Sequence, residues 1–219
     1  MMRLIALFVV LASPALASAQ RGGVPVDSVT PAGLERIEVN VPEREQNGVQ
    51  LFFAPHGQTR AEVRIDVLVA PSHREATEAM RFFEETAAGE LPNVTGLGDE
   101  ARGDAGIVAL VRDNVFVVVR RIGGGHDALA IARVLDLVIE AVPRSAPGSP
   151  VRLAIPELVQ GVQLLQLPEG VLEAHVVAGG SASARRTGRG WVLTRHGSEP
   201  FTVSVVACDR MLRRIRAQR

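Results

Sequence analysis

Apolar and polar residues alternate with a period of two along the first readable stretch of the chain. From Leu34 to Val41, Ile37, Val39 and Val41 alternate with Arg36, Glu38 and Asn40, as in a strand with one buried face. Val49–Ala54 forms a second short apolar run, closed by the turn signal Pro55-His56-Gly57. Within Thr59–Ala70, Val63, Ile65, Val67 and Val69 alternate with Glu62, Arg64 and Asp66, which predicts a third strand. The period then changes. Ser72-His73-Arg74-Glu75 fits a capping box, and Ala76, Ala79, Met80, Phe83 and Ala87 follow at helical spacing, with Gly89 and Pro92 as the stop. After a glycine- and acid-rich stretch, 93–106, the runs Ile107–Val111 and Val115–Val119 flank Arg112-Asp113-Asn114 and predict a hairpin. Val115–Val119 is apolar on both faces, as expected of a central strand covered on each side. Asp127 can cap a second helix running to about Val142, interrupted only by Arg133, Asp136 and Glu140, so that helix is expected to be mostly buried.

These elements imply an α+β fold, an antiparallel sheet with two packed helices over 34–142. The stretch 143–150, rich in Pro, Ser and Gly, reads as a linker. Beyond it the pattern becomes all-β over 151–208. Short runs at Val151–Ile155, Val162–Leu167, Val171–Ala178, Ser181–Arg186, Gly190–Thr194 and Phe201–Ala207 predict a small sandwich. The segments Gly161-Val162-Gln163-Leu164, Pro168-Glu169-Gly170-Val171 and Pro200-Phe201-Thr202-Val203-Ser204-Val205 carry a resemblance to minimal bacterial Ig-like modules. The chain departs from true Ig domains in lacking paired cysteines with a tryptophan between them.

The two ends carry different signals. Met1-Met2-Arg3, the apolar run Leu4–Ala12 and the small residues Ala17 and Ala19 make a cleavable secretory signal peptide over 1–19, with cleavage near Ala19. The apolar run falls short of the ~20 residues a membrane span requires. Residues 20–33, rich in Gly, Pro and Ser, read as a flexible lead-in. At the other end, 209–219 reads as a basic tail in which Met211, Leu212 and Ile215 could form the apolar side of a helix touching an anionic surface. The expected location is therefore extracytoplasmic, periplasmic or secreted, with no transmembrane span in the mature chain.

Composition narrows the function classes. The 24 basic and 24 acidic residues balance to zero net charge, which argues against a nucleic-acid partner. Every basic residue is arginine. A single cysteine, Cys208, excludes an intramolecular disulfide, so stability must come from burying part of the 47% hydrophobic content. Gly123-Gly124-Gly125-His126-Asp127 precedes a helix but lacks a P-loop ending, and Asp127 stands where an anion would sit. The acids of Gly96–Asp104 do not have calcium-loop spacing. His56, His73, His126, His175 and His196 are too scattered to encode a zinc site locally. Neither a nucleophile elbow nor a Ser-x-x-Lys motif is present. No catalytic, cofactor-binding or metal-ligating set emerges, and no cofactor is implied. The expectation is an exported, non-catalytic accessory or binding protein whose partner is a protein or envelope component. The alternative is an extracytoplasmic hydrolase or metal-dependent enzyme whose site assembles from distant residues.

Overall fold

The computed structural model describes residues 20–43, 48–87, 90–144, 153–187 and 190–219. The signal-peptide segment and most of the 143–150 linker lie outside them.

Among the described residues, six strands form the first sheet: β1 (Leu34–Asn40), β2 (Val49–Pro55), β3 (Val63–Val69), β4 (Glu100–Gly103), β5 (Ile107–Arg112) and β6 (Val115–Arg121). Their order is β1-β2-β3-β6-β5-β4, and every pairing is antiparallel. Helix α1 (His73–Thr86) begins where Ser72 Oγ accepts the Glu75 amide at 3.2 Å, and it buries the Ala76, Ala79, Met80 and Phe83 stripe. Helix α2 (Ala128–Ala141) begins where Asp127 Oδ1 accepts the Leu129 amide at 2.9 Å. The helices cover opposite faces of the sheet. α1 packs on Ala109, Val111, Phe116 and Val118, whereas α2 packs on the side of Val108, Leu110, Val117 and Val119. That arrangement is why β6 is apolar on both faces. The protein is α+β, as the element pattern predicts.

Strand β4 was not expected. It lies in the acid-rich stretch read as loop, and it pairs with β5 through a short alternation that buries Ala101 and Gly103. Its acids serve backbone groups. Asp99 Oδ2 accepts the Asp113 amide at 2.6 Å, and Asp104 Oδ1 accepts those of Gly106 and Ile107 at 2.7 and 3.1 Å.

Six further strands form two three-stranded antiparallel sheets: β7 (Gly161–Leu165), β8 (Val171–Gly180), β9 (Ala182–Thr187), β10 (Gly190–Arg195), β11 (Phe201–Asp209) and β12 (Arg214–Gln218). Their orders are β7-β10-β9 and β12-β11-β8. Leu165, Ala174, Val176, Leu193, Val203, Val205 and Ala207 fill the space between them. The expected strand at Val151–Ile155 is absent over its described part, 153–155.

Two end segments differ from expectation. The tail 209–219 is neither helical nor free. Asp209 is buried and accepts the amides of Met211 and Arg213 at 2.9 and 3.1 Å, turning the chain into strand β12. Leu212 sits at φ +53 in this turn, and its fully buried side chain offsets the cost of that left-handed conformation. Within 20–33, expected to be flexible, Val24, Val26 and Val29 are at most 1% exposed. The Val24 and Val26 amides donate to the carbonyls of Met211 and Arg210, both at 2.8 Å. Gly23, at φ +144, permits this approach, since a Cβ there would lie 2.6 Å from that of Met211. The other face of β11 closes the same cluster: Val206 and Cys208 pack with Val24, Val26, Val29, Leu212 and the α2 side of the first sheet.

Candidate functional site

A cleft of about 460 Å³ opens where three separated parts of the chain meet. The end of β3 and the corner after it, Leu68–Pro71, form one apolar wall. Gln20–Gly22 form a second side, and Val206 of β11 with Arg213–Arg216 of the β11–β12 turn and β12 form a third. The register of β12 on β11 explains the charge. Arg216 lies opposite Val206, and Arg214 opposite Cys208, so both arginines share the sheet face that turns toward the first sheet.

Several lining groups are held in place by the fold. Arg21 is only 3% exposed. Its Nε donates to Asp113 Oδ2 at 2.7 Å, and its Nη1 donates to the Glu140 and Val142 carbonyls at the C-terminal end of α2, where a cation is favoured. Asn114 is buried and fully used. It accepts the Arg21 amide at 2.8 Å and donates to the carbonyls of Ala70 and Arg21 at 2.8 and 3.2 Å. Arg213 is fixed on Asp209 Oδ2 at 2.7 Å, and Arg214 donates to the Pro42 carbonyl at 2.6 Å. Every charged side chain among the described lining residues is arginine. The cleft thus combines an apolar body with an arginine rim. In that rim Arg21 and Arg213 are paired from behind by Asp113 and Asp209, while Arg214 and Arg216 lie side by side on one strand face. The arrangement suits an anion carrying an apolar tail.

A wider groove of about 520 Å³ between β1 and β8 differs in sign. Arg36, Glu38, Glu173 and Arg186 line it, and Arg186 is already paired with Glu173 at 2.8 Å. Its charges compensate one another and select no particular ligand.

A third polar cluster lies on the α1 side of the sheet, beyond the helix. Arg64 grips Asp66 through two bonds of 2.7 and 2.8 Å, with Arg120 at 3.9 Å. Burial raises the Asp66 carboxyl above its ordinary range, and the two arginines only partly oppose this.

The five histidines do not converge. His56 meets Glu35 at 2.9 Å, His126 meets Glu62 at 3.1 Å and His175 meets Glu43 at 3.1 Å. His73 contacts the Asp113 carbonyl at 2.7 Å, and His196 contacts Ser183 at 2.9 Å. Among the described residues, no three His, Cys, Asp or Glu side chains come together as a metal site would require. Gly123 and Gly124 pack beside Glu62, so a carboxylate lies against this glycine run.

Cys208 is fully buried, and burial pushes its thiol up to about 12. Deprotonation is therefore disfavoured. At pH 8 the native protein is expected to react with a thiol reagent at least ~100-fold more slowly than the denatured chain. Rapid stoichiometric labelling of the folded protein would contradict this placement.

Sequence reasoning did not find the cleft, because no single segment builds it. The only local trace was the Arg-Ile-Arg alternation at 214–216, whose period of two marks a strand with arginines on one face. No helix of the described residues is long and apolar enough to cross a membrane. Among known proteins, no family model, curated protein or solved structure matches this chain.

Proposed function

We propose that the protein is an exported, non-catalytic accessory or binding protein whose recognition site is the arginine-rimmed cleft. The observation that carries this reading is the pairing of apolar walls with lining charges that are all arginine. An amphipathic carboxylate, whether a short lipid acid or the end of an apolar chain, matches both features. The export reading adds a connection, since cleavage after Ala19 opens the chain at Gln20, on the edge of this cleft. The C-terminal two-sheet unit, read as an Ig-like module, supplies the Val206 and Arg216 side of the site. Two antiparallel three-stranded sheets closing on one core support that reading.

Calorimetric titration with decanoate tests the proposal, with decanol as the uncharged control. Decanoate is expected to bind at least ~10-fold more tightly than decanol. Arg216→Gln, a change at an exposed position, is expected to remove most of that preference. Equal binding of acid and alcohol, or no decanoate binding at about 1 mM, a free energy near −4 kcal/mol, overturns it.

A further inference from the structure

The outward face of α2 is apolar where a solvated helix face should be polar. α1 shows the ordinary case, with Arg74, Glu78, Arg81 and Glu85 exposed on its outer side. α2 buries Ala128, Ala132, Leu135, Asp136 and Ile139 against the sheet. On its other side Val134 is 59% and Leu137 66% exposed, and Ala130 and Ala141 flank them, also exposed. Ala130, Val134, Leu137 and Ala141 follow at steps of four, three and four, the spacing of a helix–helix seam.

The geometry points to a second copy of this chain as the occupant of that face, through an antiparallel two-fold pairing of α2 with α2. The seam is self-complementary about a midpoint between Leu135 and Asp136. Under that two-fold, Ala130 meets Ala141 of the other copy and Val134 meets Leu137, so large residues meet in the middle and small ones at the ends. Arg133 and Glu140 line one flank of the seam, and both are exposed. Antiparallel pairing brings the same flank of the two copies together and sets Arg133 near Glu140 at both ends of the seam. Among the described residues neither side chain forms an ion pair of its own. The helix is also held rigid from behind. Arg112 grips Asp136 at midpoint, and Arg21 holds the carbonyls of Glu140 and Val142, so little order remains to be imposed on association. No α2 residue lines the arginine-rimmed cleft, so this surface is independent of the proposed binding site.

The helix has 14 residues, about 21 Å, and a seam of that length lies at the small end of specific interfaces. A concentration-dependent dimer follows. Sedimentation velocity on the purified protein between about 1 and 300 µM tests it, with circular dichroism confirming that each variant folds. The expected result is a monomer–dimer equilibrium that Leu137→Arg weakens at least ~10-fold. Arg133→Glu and Glu140→Arg should each weaken it by a similar factor, and the double reversal should restore it to within ~3-fold of the parent. A monomer at every concentration overturns the inference. So does a dimer indifferent to Leu137→Arg, or single charge reversals that the double reversal does not rescue.

Discussion

A chain begun at Leu34 is expected not to fold cooperatively. It would lose Val24, Val26 and Val29, all essentially fully buried in the largest apolar cluster. Each buried valine contributes about 1.5–3 kcal/mol, so the three together carry roughly 5–9 kcal/mol, against a whole-domain stability of about 5–15 kcal/mol. The truncation also removes the Arg21 contacts to Asp113, Glu140 and Val142, and it leaves the buried Asn114 side chain with only the Ala70 carbonyl of its three backbone partners. Urea unfolding followed by far-ultraviolet circular dichroism is the measurement. A sigmoidal transition with the midpoint of the longer chain would show that 20–33 is only a lead-in. Val26→Asp should reproduce much of the loss in the full-length protein, because it places an unpaired carboxylate in the same cluster.

The second large effect belongs to Asp136. Its side chain is 7% exposed and sits on the inner face of α2, where Arg112 reaches it through bonds of 2.7 and 2.5 Å and the Gly98 amide donates at 3.0 Å. Burial alone would raise this carboxyl, but Arg112 and the Gly98 amide outweigh burial and hold it below the ordinary aspartate range. Asp136→Asn leaves Arg112 largely buried with only the more distant Asp99, at 3.9 Å, as counter-charge, and breaking such a pair costs up to about 3–5 kcal/mol. For a protein of this size that lowers the melting temperature by roughly 6–20 °C. The pH dependence follows from the depressed value. The ionised form is favoured by folding, so the contribution is complete above the unfolded aspartate pKa of about 4 and disappears as pH falls through the folded value. Parent and variant should differ most near neutrality and converge as the pH falls through the depressed folded value. A pH-independent gap, or one under about 1 kcal/mol at neutrality, would show that the pair contributes little.

Some of this architecture was readable in local signals and some was not. Ser72 and Asp127 announce their helices because a cap acts within three residues, and Asp113-Asn114 announces its hairpin because a two-residue turn needs a left-handed residue, here Asp113 at φ 53. Three features escaped for the opposite reason. Val24 and Val26 stand among Gly, Pro and Ser, and their burial is set by Met211, Leu212 and the far face of β11. Arg214–Gln218 resembles a charged tail until Val206 and Cys208 supply the strand beside it. Val134 and Leu137 were expected inside, since α2 is apolar nearly all round, but one sheet face can cover only one side of a helix. The cleft depends on the first two of these long-range placements, so it was invisible in any window of the sequence.

The hydrogen bonds joining Val24 and Val26 to Met211 and Arg210 also close a loop that spans nearly all of the described chain. Strands β1 to β6 and both helices pair mostly with near neighbours in sequence and can assemble as the chain emerges. The segment before them is seated in two places: Arg21 on Asn114, Asp113 and the C-terminal end of α2, and Val24 and Val26 on the β11–β12 turn. Closing so long a loop is entropically costly, and a chain cut before Arg210 is expected to leave the Val24 and Val26 amides without their acceptors.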